Sequence, residues 1–128
     1  MSALPYRMLI VWQRSQTLAE RVLDLAETPA FRRNWYFRDQ MCDAAMSVPA
    51  NIAEGNGRST PLDYASFLDR SRGSLFELDT WLFTAQHRGW LAAEQHRALE
   101  SEIEALSLML LSMARALRSK ANLRSREP

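Results

Sequence analysis

The chain has 128 residues, room for one domain with a full core, and 47% of them are hydrophobic against 24% charged. Only 4 glycines and 5 prolines occur, which excludes disordered, collagen-like and linker-rich classes. The net charge of +1 gives no overall pull toward nucleic acid, and the single cysteine, Cys42, excludes an internal disulfide and fits a reducing compartment.

Pro5 marks an extended lead-in. No charged-then-apolar leader opens the chain, and no apolar run nears the ~20 residues of a membrane span. A soluble, cytoplasmic protein without membrane contact is expected. From about residue 11 the apolar spacing turns helical: Leu18, Val22 and Leu25 recur at steps of four and three beside Ala19 and Ala26. This first helix is expected over about 11–28, with Trp12 as a packing anchor and Thr28-Pro29 as its stop. Residues 29–36 read as a connection in which Phe31, Trp35 and Tyr36 accompany Arg32 and Arg33. Such interleaving can stack on bases. A connection folded back over the bundle end needs the same aromatics, and that reading is preferred.

A second helix is expected over about 36–55, with Phe37, Met41, Ala44, Ala45, Val48 and Ile52 as its stripe. The paired alanines let a neighbour come close, and Cys42 reads as a buried or half-buried thiol rather than a nucleophile. Pro49 removes a backbone hydrogen bond in mid-helix at a cost of about 3 kcal/mol. A kink is expected there, with Ser47 serving a freed backbone group. Gly55 and Gly57 are expected to take positive φ and end the helix.

The third helix, about 61–88, has the clearest start: Thr60 as N-cap, Pro61 at the first helical position and Asp63 three beyond the cap. Its stripe is Tyr64, Phe67, Leu68, Ser71, Leu75, Leu78, Leu82 and Ala85, and Gly89 closes it. The fourth helix, about 92–119, carries Leu99, Ile103, Leu106, Leu110, Met113 and Leu117. Residues 120–128 read as a polar, frayed tail. At about 100° per residue, Phe76 and Phe83 fall nearly opposite the third stripe, and Leu108 and Leu111 lie on the far side of the fourth helix. A lone bundle needs one apolar face per helix, so these four residues are read as a subunit interface. The fold expected is all-α: a single domain over 1–128, an antiparallel up-down four-helix bundle with a proline-kinked second helix.

Metal sites in bundles commonly use Glu-x-x-His on facing helices, and that motif does not occur. His87 and His96 flank the last connection without placed carboxylates and read as surface groups, so no metal and no cofactor is expected. No base is placed beside Cys42 or a serine. Gly55-Asn56-Gly57 lacks the Gly-Lys-Ser/Thr of a phosphate loop. Glu54 and Glu77 are the carboxylates to weigh as a buried acid or base, but structural roles are the preferred account: Glu54 pairs with Arg58 or caps backbone near the turn, Glu77 pairs with an arginine in the bundle or ring, and no enzymatic activity is expected. What remains is electrostatic. Fifteen of the 16 basic residues are arginine, which suits phosphate binding, although a GC-rich genome explains it more simply. Arg58, Arg115, Arg118 and Lys120 are the candidate nucleic-acid contacts, and the last three also suit the negative end of a helix dipole.

Three ordered blocks carry a resemblance. The strongest is Gln40, Ala44-Ala45, Ser47-Val48-Pro49, Asn51-Ile52-Ala53-Glu54-Gly55 and Gly57-Arg58. The second is Phe67-Leu68 followed by Gly73-Ser74-Leu75, Glu77-Leu78, Thr80 and Leu82. The third is Val11-Trp12-Gln13, Ser15 and Leu18-Ala19. Over about residues 9–119 the chain resembles the small four-helix-bundle proteins encoded by intervening sequences within bacterial 23S ribosomal RNA genes. It is distantly similar to the accessory protein of diversity-generating retroelements. The resemblance implies a bundle that assembles as a ring, typically a homopentamer; the distant relative is a pentameric barrel that binds a reverse transcriptase and nucleic acid. Where relatives often carry basic residues just before the paired alanines, this chain has Cys42 and Asp43, which weakens the expectation of RNA binding. Two functions are therefore expected: a non-enzymatic homo-oligomer holding RNA or DNA through repeated arginines, or an oligomeric adaptor for another protein.

Overall fold

The computed structural model describes residues 3–126. Pro5 opens a 3-10 turn, Pro5–Met8, and an extended Leu9 leads into α1, Ile10–Leu25. The Thr28-Pro29 pair stops α1 as expected, but it also starts something. Extended Thr28 and a proline at the first helical position begin a short helix, α2, Pro29–Arg33, where only a connection was expected. Then come α3, Trp35–Asn56, α4, Pro61–His87, and α5, Ala93–Ser125. Among the described residues there is no strand.

The start and end of α4 follow side-chain and backbone chemistry closely. Thr60 Oγ1 accepts a hydrogen bond from the Asp63 N–H at 3.2 Å, satisfying one orphan donor of the first turn. At the other end Gly89 sits at φ 78, its N–H bonds Gln86 O at 3.1 Å, and the Trp90 N–H bonds Ala85 O at 2.9 Å. This is a Schellman closure, and only glycine takes the left-handed position without strain.

Two expectations change. Gly89 is the one glycine with positive φ among the described residues, so Gly55 and Gly57 do not end α3 by that route. Gly55 is buried inside α3 and serves close approach instead: a Cβ there would meet Phe67 Cβ at 2.7 Å and Tyr64 Cδ1 at 3.0 Å. The expected frayed tail is helical as far as Ser125, because no glycine or proline interrupts the strong helix formers Lys120, Ala121, Leu123 and Arg124.

The long helices surround one core. α3 packs on α1 and α4, α5 packs on α4 and α1, and α2 folds against α3. Leu18 and Val22 of α1, Met41, Val48 and Ile52 of α3, Leu68, Leu75, Leu78 and Leu82 of α4, and Leu106 and Leu110 of α5 are all nearly or fully buried. The paired alanines Ala44 and Ala45 are buried too, which brings the α3 backbone near its neighbours. Residues late in α3 meet residues early in α4, as Asn56 meets Tyr64 at 3.3 Å. Early α5 meets late α4, where the Phe83 and His96 rings lie 6.1 Å apart. Arg14 of α1 reaches Glu102 of α5 at 2.6 Å. Phe31 is fully buried beneath the start of α3, with Phe37 at 6.2 Å and Trp90 at 6.0 Å; the folded-back reading holds for it. Trp35 and Tyr36 instead stand outside, 66% and 64% exposed.

Candidate functional site

The motif residues of the sequence converge on the seam between α3 and α4. Ser47 Oγ and Ser74 Oγ share a hydrogen bond across it, so the Ser47 hydroxyl does not serve a backbone group freed by Pro49. Ser71 Oγ donates to Val48 O at 2.8 Å from a fully buried position. Asn51 Nδ2 donates to Ser47 O at 2.8 Å, the side chain thus reinforcing the turn that contains Pro49. Gly55 lies under Phe67 at the same seam. These serines and the glycine are small, and smallness is what their positions require. Pro49 is buried, and α3 continues through it. Gly73 differs. It is exposed in mid-helix, and a Cβ there would meet nothing within 4 Å.

Glu54 pairs with Arg58 at 3.2 Å, one turn away, as expected. Arg58 also approaches Asp63 at 3.8 Å and lies over the Phe67 ring at 4.5 Å. Glu77 is exposed and accepts from the Trp81 indole N–H at 3.1 Å rather than from an arginine. Both carboxylates hold local structure.

The basic candidates divide. Arg118 forks onto both oxygens of Asp69, and that hydrogen bond and charge raise its already high pKa. Arg58 is likewise engaged by two carboxylates. Arg115 and Lys120 are exposed, and no ion pair to either exists among the described residues. Because Asp69 lies near the start of α4, its bond to Arg118 puts the end of α5 beside the α3–α4 turn. The four candidates therefore share one end of the molecule.

The apolar candidates lie on the outer flanks of α4 and α5, which pack against each other. Phe76 is 48% exposed, Phe83 51% and Leu108 60%, while Leu111 is half-buried. Arg72 covers part of Phe76, its guanidinium 4.9 Å from the ring centre, and His87 stacks on Phe83 at 4.3 Å.

One group is not where its sequence context suggested. His87 is exposed, but His96, in the first turn of α5, is buried. Its Nε2 lies 3.8 Å from Asp79 Oδ1 on α4 and 3.6 Å from Glu100 Oε2 one turn along α5. Cys42 is half-buried, and burial pushes its thiol pKa up, with Arg38 opposing and Asp39, Asp43 and Glu27 adding to the rise. That is the opposite of an activated nucleophile.

The family model described as 23S rRNA-intervening sequence protein matches residues 7–112. The chain belongs to this family. A crystal structure of a protein of unknown function, from the S23 ribosomal protein family of Bacteroides thetaiotaomicron, is similar in fold. Its TM-score is 0.77 at 19% identity, covering 82% of this chain and 98% of that one. No curated protein matches the chain. Among the described residues no helix is long and apolar enough to cross a membrane.

Within this 23S rRNA-intervening sequence family member, Gln40, Ile52, Ala53, Leu75 and Leu78 belong to the same blocks as the seam residues, and Ile52, Leu75 and Leu78 lie in the core. The His96 cluster escaped the sequence reading because its carboxylates come from two helices. The only local signal was His96 and Glu100 at i, i+4, a spacing that puts both on one face of a helix.

Proposed function

We propose that this chain is a non-enzymatic, self-associating platform of the cytoplasm. Each copy is one domain, an antiparallel up-down four-helix bundle bent at Pro49. Copies join through the outer flanks of α4 and α5 into a ring, a homopentamer, and its arginine-bearing end contacts RNA or DNA. The observation that carries the reading is the half-exposed apolar row of Phe76, Phe83 and Leu108. Removing apolar area from water is worth about 25 cal/mol per Å², so a row of such residues on adjoining helices favours a cover.

Gly73 argues that the cover is a second copy. It sits three residues from Phe76 on α4 with open space around it. Glycine in an exposed helix interior costs about 1 kcal/mol relative to alanine, and nothing within the chain calls for it. Close approach of another backbone would. A ring then repeats Arg115 and Lys120 around one axis, so weak phosphate contacts add. The engagement of Arg58 and Arg118 by carboxylates favours a second reading, an oligomeric adaptor that docks another protein without nucleic acid.

The test is the molar mass in solution of the gently purified chain, read with its absorbance ratio. A multiple of the 14.7 kDa subunit is expected, falling in a Phe76→Asp/Leu108→Asp variant. Retained RNA should leave as salt rises and be lost in Arg115→Ala/Lys120→Ala. A wild type that stays a lone subunit refutes the platform. A multimer indifferent to RNA and to those two substitutions leaves the adaptor.

A further inference from the structure

We propose that Asp79, His96 and Glu100 form a binding site for a divalent transition-metal ion of zinc type, bridging α4 and α5. The His96 side chain is only 9% exposed, enclosed by the helix pair and by the edge of Phe83 at 6.1 Å. Its Nε2 is buried and makes no hydrogen bond, and neither does the buried Asp79 Oδ1 that it faces. A buried polar atom without a partner is costly, and here two point at each other.

The separations discriminate between a hydrogen-bonded pair and a coordination shell. Nε2 lies 3.8 Å from Asp79 Oδ1 and 3.6 Å from Glu100 Oε2, too far for a hydrogen bond. All three ligand atoms lie within 4.8 Å of one another. In a tetrahedral shell with bonds of about 2.0–2.2 Å, neighbouring ligand atoms are roughly 3.3–3.6 Å apart. Small side-chain movements close the difference, and His96 and Glu100 are already set on one face by their i, i+4 spacing.

The donor set chooses the ion. One imidazole and two carboxylates suit zinc and its first-row neighbours. Calcium and magnesium prefer an all-oxygen shell, and copper(I) prefers sulfur. Two carboxylates also balance the charge of a divalent ion. The Asp79 and Glu100 side chains are 37% and 51% exposed, so solvent reaches the cluster from their side, giving the ion an entrance and a water as fourth ligand. The ion would join the last turns of α4 to the first turns of α5 and stiffen the pair.

The experiment is calorimetric titration of the chelator-treated full chain with zinc alone. Cobalt(II) is titrated in parallel, because its visible bands report coordination number. One ion per chain is expected. Affinity should fall at least tenfold in Glu100→Gln, which lies at the solvent edge and spares the fold, and further in His96→Gln. His87→Ala should bind as wild type does. Thermal stability should rise with zinc in the wild type and stay flat in His96→Gln. Wild-type binding no tighter than that of His96→Gln overturns the site and leaves a simple imidazole–carboxylate cluster. Binding that survives both substitutions overturns it too, since the ion then sits elsewhere.

Discussion

Replacing Gly55 by alanine adds a single methyl at the tightest point of the α3–α4 seam. The new Cβ would stand 2.7 Å from Phe67 Cβ, 3.0 Å from Tyr64 Cδ1 and 3.2 Å from the Tyr64 carbonyl oxygen. Two of these atoms are close to or part of the α4 backbone, so no side-chain rotation relieves the clash. The helices must separate by several tenths of an ångström, loosening the contacts of Ile52 and Leu68 nearby. Overpacking costs about 1–3 kcal/mol, and a 2.7 Å approach to a β-carbon fixed to the facing backbone belongs in the upper part of that range, about 2–3 kcal/mol. Alanine returns about 1 kcal/mol through helix propensity, which leaves a net loss of about 1–2 kcal/mol. With a urea slope of about 1–3 kcal/mol per molar, the unfolding midpoint should drop by roughly 0.5–1 M. Gly57→Ala is the control, because its Cβ would meet nothing closer than 3.5 Å and its φ of −82 suits alanine. That variant should be neutral or slightly more stable. If Gly55→Ala unfolds at or above the wild-type midpoint, the helices do not approach as described and the seam argument fails.

Gly73→Ala should have the opposite sign for the isolated subunit, a gain of about 0.5–1 kcal/mol by denaturation under dissociating conditions, while weakening assembly measured by molar mass against concentration. Ser71→Ala removes the buried hydroxyl that reaches Val48 O and should cost about 1 kcal/mol in the same urea assay. Cys42 should react slowly with a thiol-directed reagent, its rate still climbing with pH beyond the ordinary thiol value of 9.0 before it levels off. Because the folded value is raised, any stability it contributes is intact below the ordinary thiol value and is lost as pH climbs from there through the folded one. A rate profile with a midpoint at or below the ordinary value would contradict its burial.

The stripes of Leu18–Val22, Met41–Val48–Ile52, Leu68–Leu75–Leu82 and Leu99–Ile103–Leu110 were legible because a period near 3.6 is written locally and burial follows it. The Thr60-Pro61-Asp63 start of α4 was legible for the same reason: a cap is a contact over three residues. Gly55 was misread because close approach is set by Phe67, twelve residues away on another helix, while a positive φ is only one of glycine's uses. α2 was missed because five residues hold too little periodicity to register. The His96 cluster was missed for a stronger reason. Asp79 and His96 are seventeen positions apart, and only the packing of α4 on α5 brings them to 3.8 Å.

α4 presents three distinct sides. One side of it meets α3 through Phe67, Ser71 and Ser74, and a second faces the core and α5 with Leu75, Asp79 and Leu82. Those two sides already suffice to hold a helix in a bundle. Gly73, Phe76 and Phe83 lie on a third side that a lone subunit covers only in part, with Phe76 48% and Phe83 51% exposed, and apolar area left in water favours a cover. Arg118 bears on the same question from α5. Its fork onto Asp69 ties the late turns of α5 to early α4, which fits a helix continuing to Ser125, and it removes that cation from competition for phosphate. Of the four candidate cations, Arg115 and Lys120 are then the two left open to phosphate. Arg118→Ala should loosen the end of α5 yet leave the salt dependence of RNA retention unchanged, whereas Arg115→Ala/Lys120→Ala should flatten it by about one to two charges per subunit. A flattened slope in Arg118→Ala alone would mean that the Asp69 pair opens to meet phosphate, and that the fork does not remove this cation from the site.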